Sequence, residues 1–119
     1  MAKILILDDE PLIAMMLADW VAEQGEEAIG PAFSADQALA LIADTRLDAA
    51  ILDVSLGNGD CYGVAQELRR SGVPFAFATG HGADVVREDF KNITTLSKPF
   101  NFEMVGRVLH ELLGGKAAL

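Results

Sequence analysis

Three runs of four consecutive apolar residues dominate the chain: Ile4-Leu5-Ile6-Leu7, Ala49-Ala50-Ile51-Leu52 and Phe75-Ala76-Phe77-Ala78. None alternates with polar residues, so none suits a strand with one face in water. An uninterrupted run of this length is what a strand covered on both faces requires. A further strand is expected over Ile93 to Ser97, and a weaker one over residues 27 to 33, closed by Pro31. Strands covered on both faces need helices to cover them.

The segments between the runs have the matching helical period. After Pro11, the residues Leu12, Ile13, Met16, Leu17, Trp20 and Val21 recur on one helix face, and Gly25 ends the pattern. The Met15-Met16 pair and Trp20 read as core. Ser34 with Gln37 forms a capping box and opens a helix through about Ala43. The stretch LGNGD, residues 56 to 60, reads as a loop before a helix from about Cys61 to Arg70, ended by Ser71-Gly72. A short, poorly patterned helix is expected over residues 83 to 89. Asn101 is a plausible N-cap for a last helix carrying Phe102, Val105, Val108, Leu109, Leu112 and Leu113, stopped by Gly114-Gly115.

Strands and helices thus alternate five times, without repeats or linkers. Alternation of this kind predicts an α/β fold, a doubly wound parallel sheet with helices on both faces. Right-handed crossovers restrict the connections. Ligands of such sheets bind outside the carboxyl ends of the strands, at a topological switch point.

Composition narrows the partners. The net charge is −9 and the pI about 4.4, with no basic stripe, so neither nucleic acid nor an anionic membrane is an expected partner. The balance suits a cation or a basic partner, as well as plain solubility. Cys61 is the single cysteine, which fits a reducing cytosol and a small buried residue. Met1-Ala2-Lys3 leads straight into a strand, and no apolar run reaches membrane-span length, so a cytoplasmic location is expected.

Polar residues stand at the ends of four strands. Asp8-Asp9-Glu10 follow the first, Asp53 the third, Thr79 the fourth and Lys98-Pro99 the fifth. In a parallel sheet all of these fall on one edge. Asp8, Asp9 and Asp53 would crowd three carboxylates, which cannot all ionise cheaply without a cation. Carboxylate oxygens are what Mg²⁺ prefers, and Mg²⁺ commonly also binds phosphate. Lys98 supplies a point charge for a phosphate oxygen and Thr79 a hydroxyl donor. One carboxylate can then act as a nucleophile and form an aspartyl-phosphate. Gly80 and Gly82 leave the backbone after Thr79 free to approach a ligand. Helix capping and solvated strand ends explain each of these residues singly, but not why all five converge.

The motifs LDDEP, LDVSL around Asp53, FATG and SKPF, in that order and spacing, resemble the response-regulator receiver domain. The resemblance covers nearly the whole chain. It implies a flavodoxin-like, five-stranded sheet of order 2-1-3-4-5. It implies a receiver over residues 1 to 119, with 115 to 119 as a tail and no output domain after the last helix. Asp53 would be the phosphoacceptor, and Asp9 would ligate Mg²⁺ directly, with Mn²⁺ as a substitute. Asp8 would act mainly through water, and the backbone carbonyl of Ser55 would complete the protein ligands. Thr79 and Lys98 would hold the phosphoryl oxygens.

The implied donor is a phosphohistidine on a sensor kinase or phosphotransfer protein. The chain would not be an enzyme acting on other molecules, only an acceptor that assists its own phosphorylation and dephosphorylation. As a stand-alone receiver it would dock on a downstream protein or serve as a phosphate shuttle or sink. VPFAFATGHG is similar to the FATGUY group of receivers, which are linked to HWE and related kinases.

The chain departs from the pattern at three places. Thr95 stands where most receivers carry Tyr or Phe, which puts the usual aromatic switch in doubt. Gly57 replaces a common proline. His81, two residues after Thr79, falls where side chains tune the lifetime of the phosphoryl group. Two rival readings remain. Haloacid-dehalogenase-type phosphatases also use Asp, Thr, Lys and Mg²⁺, but need a second Asp two residues after the nucleophile, where this chain has Glu10 after Asp8. A receiver that only binds proteins, never phosphorylated, is the other, kept open by Thr95.

Overall fold

The computed structural model describes residues 1–57, 59–80 and 86–114. In chain order it places β1 (Lys3–Leu7), α1 (Pro11–Glu23), β2 (Glu27–Ala32), α2 (Ala35–Asp44) and β3 (Ala49–Asp53). A short antiparallel pair follows, β4 (Ser55–Leu56) and β5 (Gly59–Asp60). Then come α3 (Tyr62–Arg70), β6 (Phe75–Thr79), a 3-10 turn at Glu88–Phe90, β7 (Thr95–Ser97) and α4 (Phe102–Leu112). The main sheet has the order β2-β1-β3-β6-β7, every pair parallel. Counting main-sheet strands alone, this is the expected 2-1-3-4-5.

The apolar runs divide between two layers because successive strand side chains point to opposite faces. Leu5, Leu7, Ala50, Leu52, Phe75 and Phe77 pack with Ala38 of α2 and with Val64, Ala65 and Leu68 of α3. Ile4, Ile6, Ala49, Ile51, Ala76 and Ala78 pack with Leu17 and Val21 of α1 and with Val105, Val108 and Leu109 of α4. Each fully buried Leu or Ile among them contributes about 1.5–3 kcal/mol.

The helix boundaries follow local chemistry. Pro11 sits in the first turn of α1, where no N–H is needed. Ser34 Oγ accepts from Gln37 N at 3.2 Å, while Gln37 Oε1 accepts from Phe33 N at 2.8 Å. The reciprocal bond therefore lands one residue before the N-cap. Asn101 Oδ1 accepts from Met104 N at 2.8 Å and starts α4 as expected. Pro31 is tolerated because β2 is an edge strand. The register of β2 against β1 shifts between Leu5 and Leu7, beside Gly30, whose φ is +99°.

Several expectations are corrected. Residues 55–56 and 59–60 pair as a hairpin, so the stretch 56 to 60 is not simply a loop. The helix expected over 83 to 89 falls partly on residues 81–85, outside the described residues. Val86 and Arg87 are not helical, and only Glu88–Phe90 makes a turn. The strand expected from Ile93 begins at Thr95, because Ile93 N closes a turn onto Phe90 O at 3.0 Å. Leu12 is 85% exposed and Met15 57%, since the buried line of α1 runs through Ala14, Leu17 and Val21. Phe102 is also exposed, though its ring meets Trp20 edge-on at 6.2 Å. No described helix is long and apolar enough to cross a membrane.

Candidate functional site

The register brings the polar strand ends to neighbouring levels. Leu7 pairs with Leu52, so Asp8 follows β1 at the level where Asp53 closes β3. Asp53 pairs with Ala78, one residue before Thr79, and Thr79 pairs with Ser97, one residue before Lys98. The strand order reverses at β1, with β2 added on one side and β3 on the other, so the switch point lies between the ends of β1 and β3, at Asp8 and Asp53.

Lys98 is the hub. Its Nζ lies 3.1 Å from Asp8 Oδ2, 3.3 Å from Glu10 Oε1 and 3.5 Å from Asp53 Oδ2. Its backbone N–H donates to Thr79 O at 2.8 Å, which ties the ends of β6 and β7 together. Asp8, Asp53 and Thr79 are all buried, whereas the Glu10 side chain is 60% exposed. Glu10 N donates to Asp8 Oδ1 at 2.9 Å, and Ser55 N to Asp53 Oδ1 at 3.3 Å. Each buried carboxylate thus has one oxygen held by backbone and the other turned toward Lys98.

The charges do not balance. Burial first, then the charge of Asp8, pushes Asp53 up to about 7, although Lys98 and the Ser55 N–H work in the opposite direction. Burial works against the Lys98 ammonium, but Asp8 and Asp53 outweigh it and its pKa lies above the ordinary lysine value. Asp8 Oδ2 is buried without a well-directed hydrogen bond among the described residues; the Lys98 ammonium, 3.1 Å away, is the charge it faces. Two buried carboxylates facing one ammonium carry a surplus negative charge. A hard divalent cation fits that surplus, and Asp8, Glu10 and Asp53 offer oxygens within 4.8 Å of one another.

The expected residues are not all equivalent in the structure. Asp8, Asp53, Thr79 and Lys98 converge. Asp9 stands apart from that group, its Oδ2 accepting from Gly57 N at 2.5 Å. A Cβ on residue 57 would lie 2.9 Å from the same oxygen, so a side chain there would force one of the two to shift. Ser55 is exposed and begins β4. Thr95 lies beside Phe77 in the sheet, its hydroxyl donating to Ile93 O at 3.2 Å. His81 lies outside the described residues.

Glu10 is the member of the group to which sequence reasoning gave no separate role. Its place directly after the Asp pair was the available signal. Cys61 is fully buried, and burial, then Asp60 and Asp53, pushes its thiol up to about 12, so it behaves as a small core residue.

Comparison with known proteins agrees with this geometry. Residues 4–109 match the family described as the response regulator receiver domain. The regulatory protein VanRc of Enterococcus gallinarum is 32% identical over 92% of this chain and 49% of its own length. The chain spans about half the length of the curated relatives it matches. The solution structure of SdrG from Sphingomonas melonis Fr1 is 41% identical, with a TM-score of 0.84, covering 95% of this chain and 97% of that one. TrrA from Thermotoga maritima, solved with Mg²⁺-BeF, is 26% identical with a TM-score of 0.83, covering 95% of this chain and all of that one. With the family match spanning almost every described element, the chain belongs to the response-regulator receiver domains.

Proposed function

We propose that this receiver accepts a phosphoryl group on Asp53 from a phosphohistidine and passes the change on by docking or relay. Receiver domains work in two-component systems with histidine kinases or phosphotransfer proteins, and bind Mg²⁺ at an acidic pocket. The observation that carries the proposal is the buried trio Asp8, Asp53 and Lys98, with Asp8 Oδ2 left without a well-directed hydrogen bond among the described residues. A trio with surplus negative charge is a poor structural salt bridge and a good cation site, and a cation held there would in turn attract phosphate.

In the proposed reaction an Asp53 carboxylate oxygen attacks phosphorus. The P–N bond of the phosphohistidine breaks, its electron pair stays on the imidazole nitrogen, and a P–O bond forms. Lys98 turns its ammonium from the carboxylates to a phosphoryl oxygen, and Thr79 donates its hydroxyl to another. Asp53, the Ser55 carbonyl and Asp9 would hold Mg²⁺, with Asp8 acting mainly through water; Asp9 would first have to leave the Gly57 N–H. The bound cation supplies neutralisation of phosphoryl charge, and Mn²⁺ is expected to substitute. The FATG resemblance favours an HWE-type kinase as donor.

The test is intact-mass spectrometry with Mg²⁺ and acetyl phosphate, on the wild type and Asp53→Asn. One added phosphoryl group on the wild type and none on the variant is expected. The absence of a ring at Thr95 favours a second reading, a module that binds partners without phosphorylation. No modification by acetyl phosphate and no Mg²⁺-dependent response to beryllofluoride would decide for that reading.

A further inference from the structure

Two arginines lie against the ring of Phe90, and they are partnered differently. Arg87 is fixed twice over: its backbone N–H donates to the Tyr62 hydroxyl at 2.9 Å, and its guanidinium donates to both oxygens of Asp89 at 2.8 and 2.6 Å. Arg69 lies 4.2 Å over the Phe90 ring and donates to the backbone O of Asp89 at 3.2 Å. The Asp89 carboxylate is taken by Arg87, and that of Glu67 by the neighbouring Arg70. No carboxylate among the described residues pairs with Arg69. A guanidinium held by a ring and one carbonyl keeps most of its five N–H donors. Its planar fork is set in place without its usual acceptor.

Arg69 borders a cleft of about 350 Å³ between the end of α3 and the segment before β7. Val73, Pro74, Phe75 and Ile93 line it with apolar surface. Asn92 adds an exposed amide, while the Thr94 hydroxyl is already given to Glu111. Phe75 opens β6 and Thr94 precedes β7, so the cleft lies at the amino ends of the strands. Asp53 and Thr79 close β3 and β6 at the opposite edge, the length of a strand away, about 13 Å.

An apolar cleft with one guanidinium at its rim selects an apolar group that carries a carboxylate beside it. With a net charge of −9 the chain as a whole repels an acidic ligand, so an arginine lacking a carboxylate marks where one can land. The rim is open, with Gly72, Pro74 and Asn92 exposed, so an extended chain has room to run through. The Asn92 amide suits a peptide group of such a chain.

We propose that this cleft docks an acidic segment of a partner protein. An apolar side chain of that segment seats against Val73, Phe75 and Ile93, and the neighbouring carboxylate forks onto Arg69. The surface is independent of the phosphoacceptor reading of Asp53, and a partner docked there does not compete with a phosphoryl donor at the other edge.

The experiment is an amide NMR titration of the whole chain with three probes at millimolar concentrations: acetyl-Leu-Glu-Leu-amide, its glutamine counterpart acetyl-Leu-Gln-Leu-amide, and hexanoate. The glutamate peptide is expected to shift the amides of Gly72, Val73, Phe75 and Ile93 and to leave those beside Asp53 in place. The glutamine peptide is expected to bind about two- to fivefold more weakly, the worth of an exposed ion pair. That comparison needs no variant. Arg69→Gln is expected to abolish the difference between the peptides, and Arg70→Gln, which removes an arginine already paired, to keep it. Shifts that miss the cleft, equal binding of the two peptides to the wild type, or a difference that survives in Arg69→Gln would each overturn the proposal. Hexanoate binding as tightly as the glutamate peptide would make the cleft a site for a free acid and overturn the assignment to a partner protein.

Discussion

Two buried clusters flank the carboxyl end of β3, one of charges and one of rings. Asp8, Asp53 and Lys98 make the first; Tyr62, Phe75, Phe77 and Phe90 make the second. The ring cluster is internally satisfied. Its rings meet at centroid distances of 5.5 to 6.2 Å, mostly edge to face, and Arg69 lies 4.2 Å over Phe90. The charge cluster is not satisfied, since one ammonium serves two buried carboxylates. The rings therefore stabilise the fold independently of pH and cations, while the charges make it depend on both.

The largest effect tests the ring side of that contrast. Phe90→Ala empties a fully buried aromatic site and should destabilise by about 3–5 kcal/mol. Urea unfolding should give the same loss at pH 5 and pH 8, with or without Mg²⁺. A loss that varied with Mg²⁺ would mean that the two clusters are energetically one.

The charge side should respond in the opposite direction. Asp53 has a folded pKa raised from 3.8 to about 7. A carboxyl raised on folding contributes stability that is fully present below its unfolded pKa and lost as pH rises through the folded one. In chelator, the wild type should therefore lose stability between about pH 4 and pH 7. Asp53→Asn, which removes the charge and keeps the shape, should be the more stable protein at pH 8 by about 2–4 kcal/mol. The gain should shrink toward pH 4 and shrink again with Mg²⁺. Thermal unfolding of both proteins across this range measures it. A gain independent of pH and Mg²⁺ would place its origin outside the carboxylate charge.

What could be read from the chain, and what could not, divides along physical lines. Asp8, Asp53, Thr79 and Lys98 come together because strand ends of a parallel sheet share an edge, which hydrophobic pattern alone reveals. The carboxylate directions are different. Asp9 faces Gly57 N across 48 positions of sequence, a contact with no periodicity to announce it. The β4–β5 strands are two residues each, too short for any pattern to register. Leu12 and Met15 show that apolar identity does not imply burial, since exposed single apolar side chains are common. The grip of Tyr62 on Arg87 is legible only in three dimensions.

The smallest effect sharpens the contrast within the charge cluster itself. Glu10 is the exposed partner of Lys98, its side chain 60% exposed where Asp8 and Asp53 are buried. An ion pair so open to water is worth less than about 1 kcal/mol and is screened by salt. Glu10→Gln should therefore leave stability nearly unchanged. It should still ease the turn of Lys98 toward a phosphoryl oxygen by removing one competing carboxylate. Beryllofluoride affinity should rise by about two- to fivefold at low ionic strength, within the worth of such a pair. The gain should fade at high salt, because the competing pair fades with it. If the gain persists in high salt, Glu10 acts through the hydrogen bond its side chain accepts from Lys98 rather than through its charge, and the exposed carboxylate belongs with the site's geometry instead of its electrostatics.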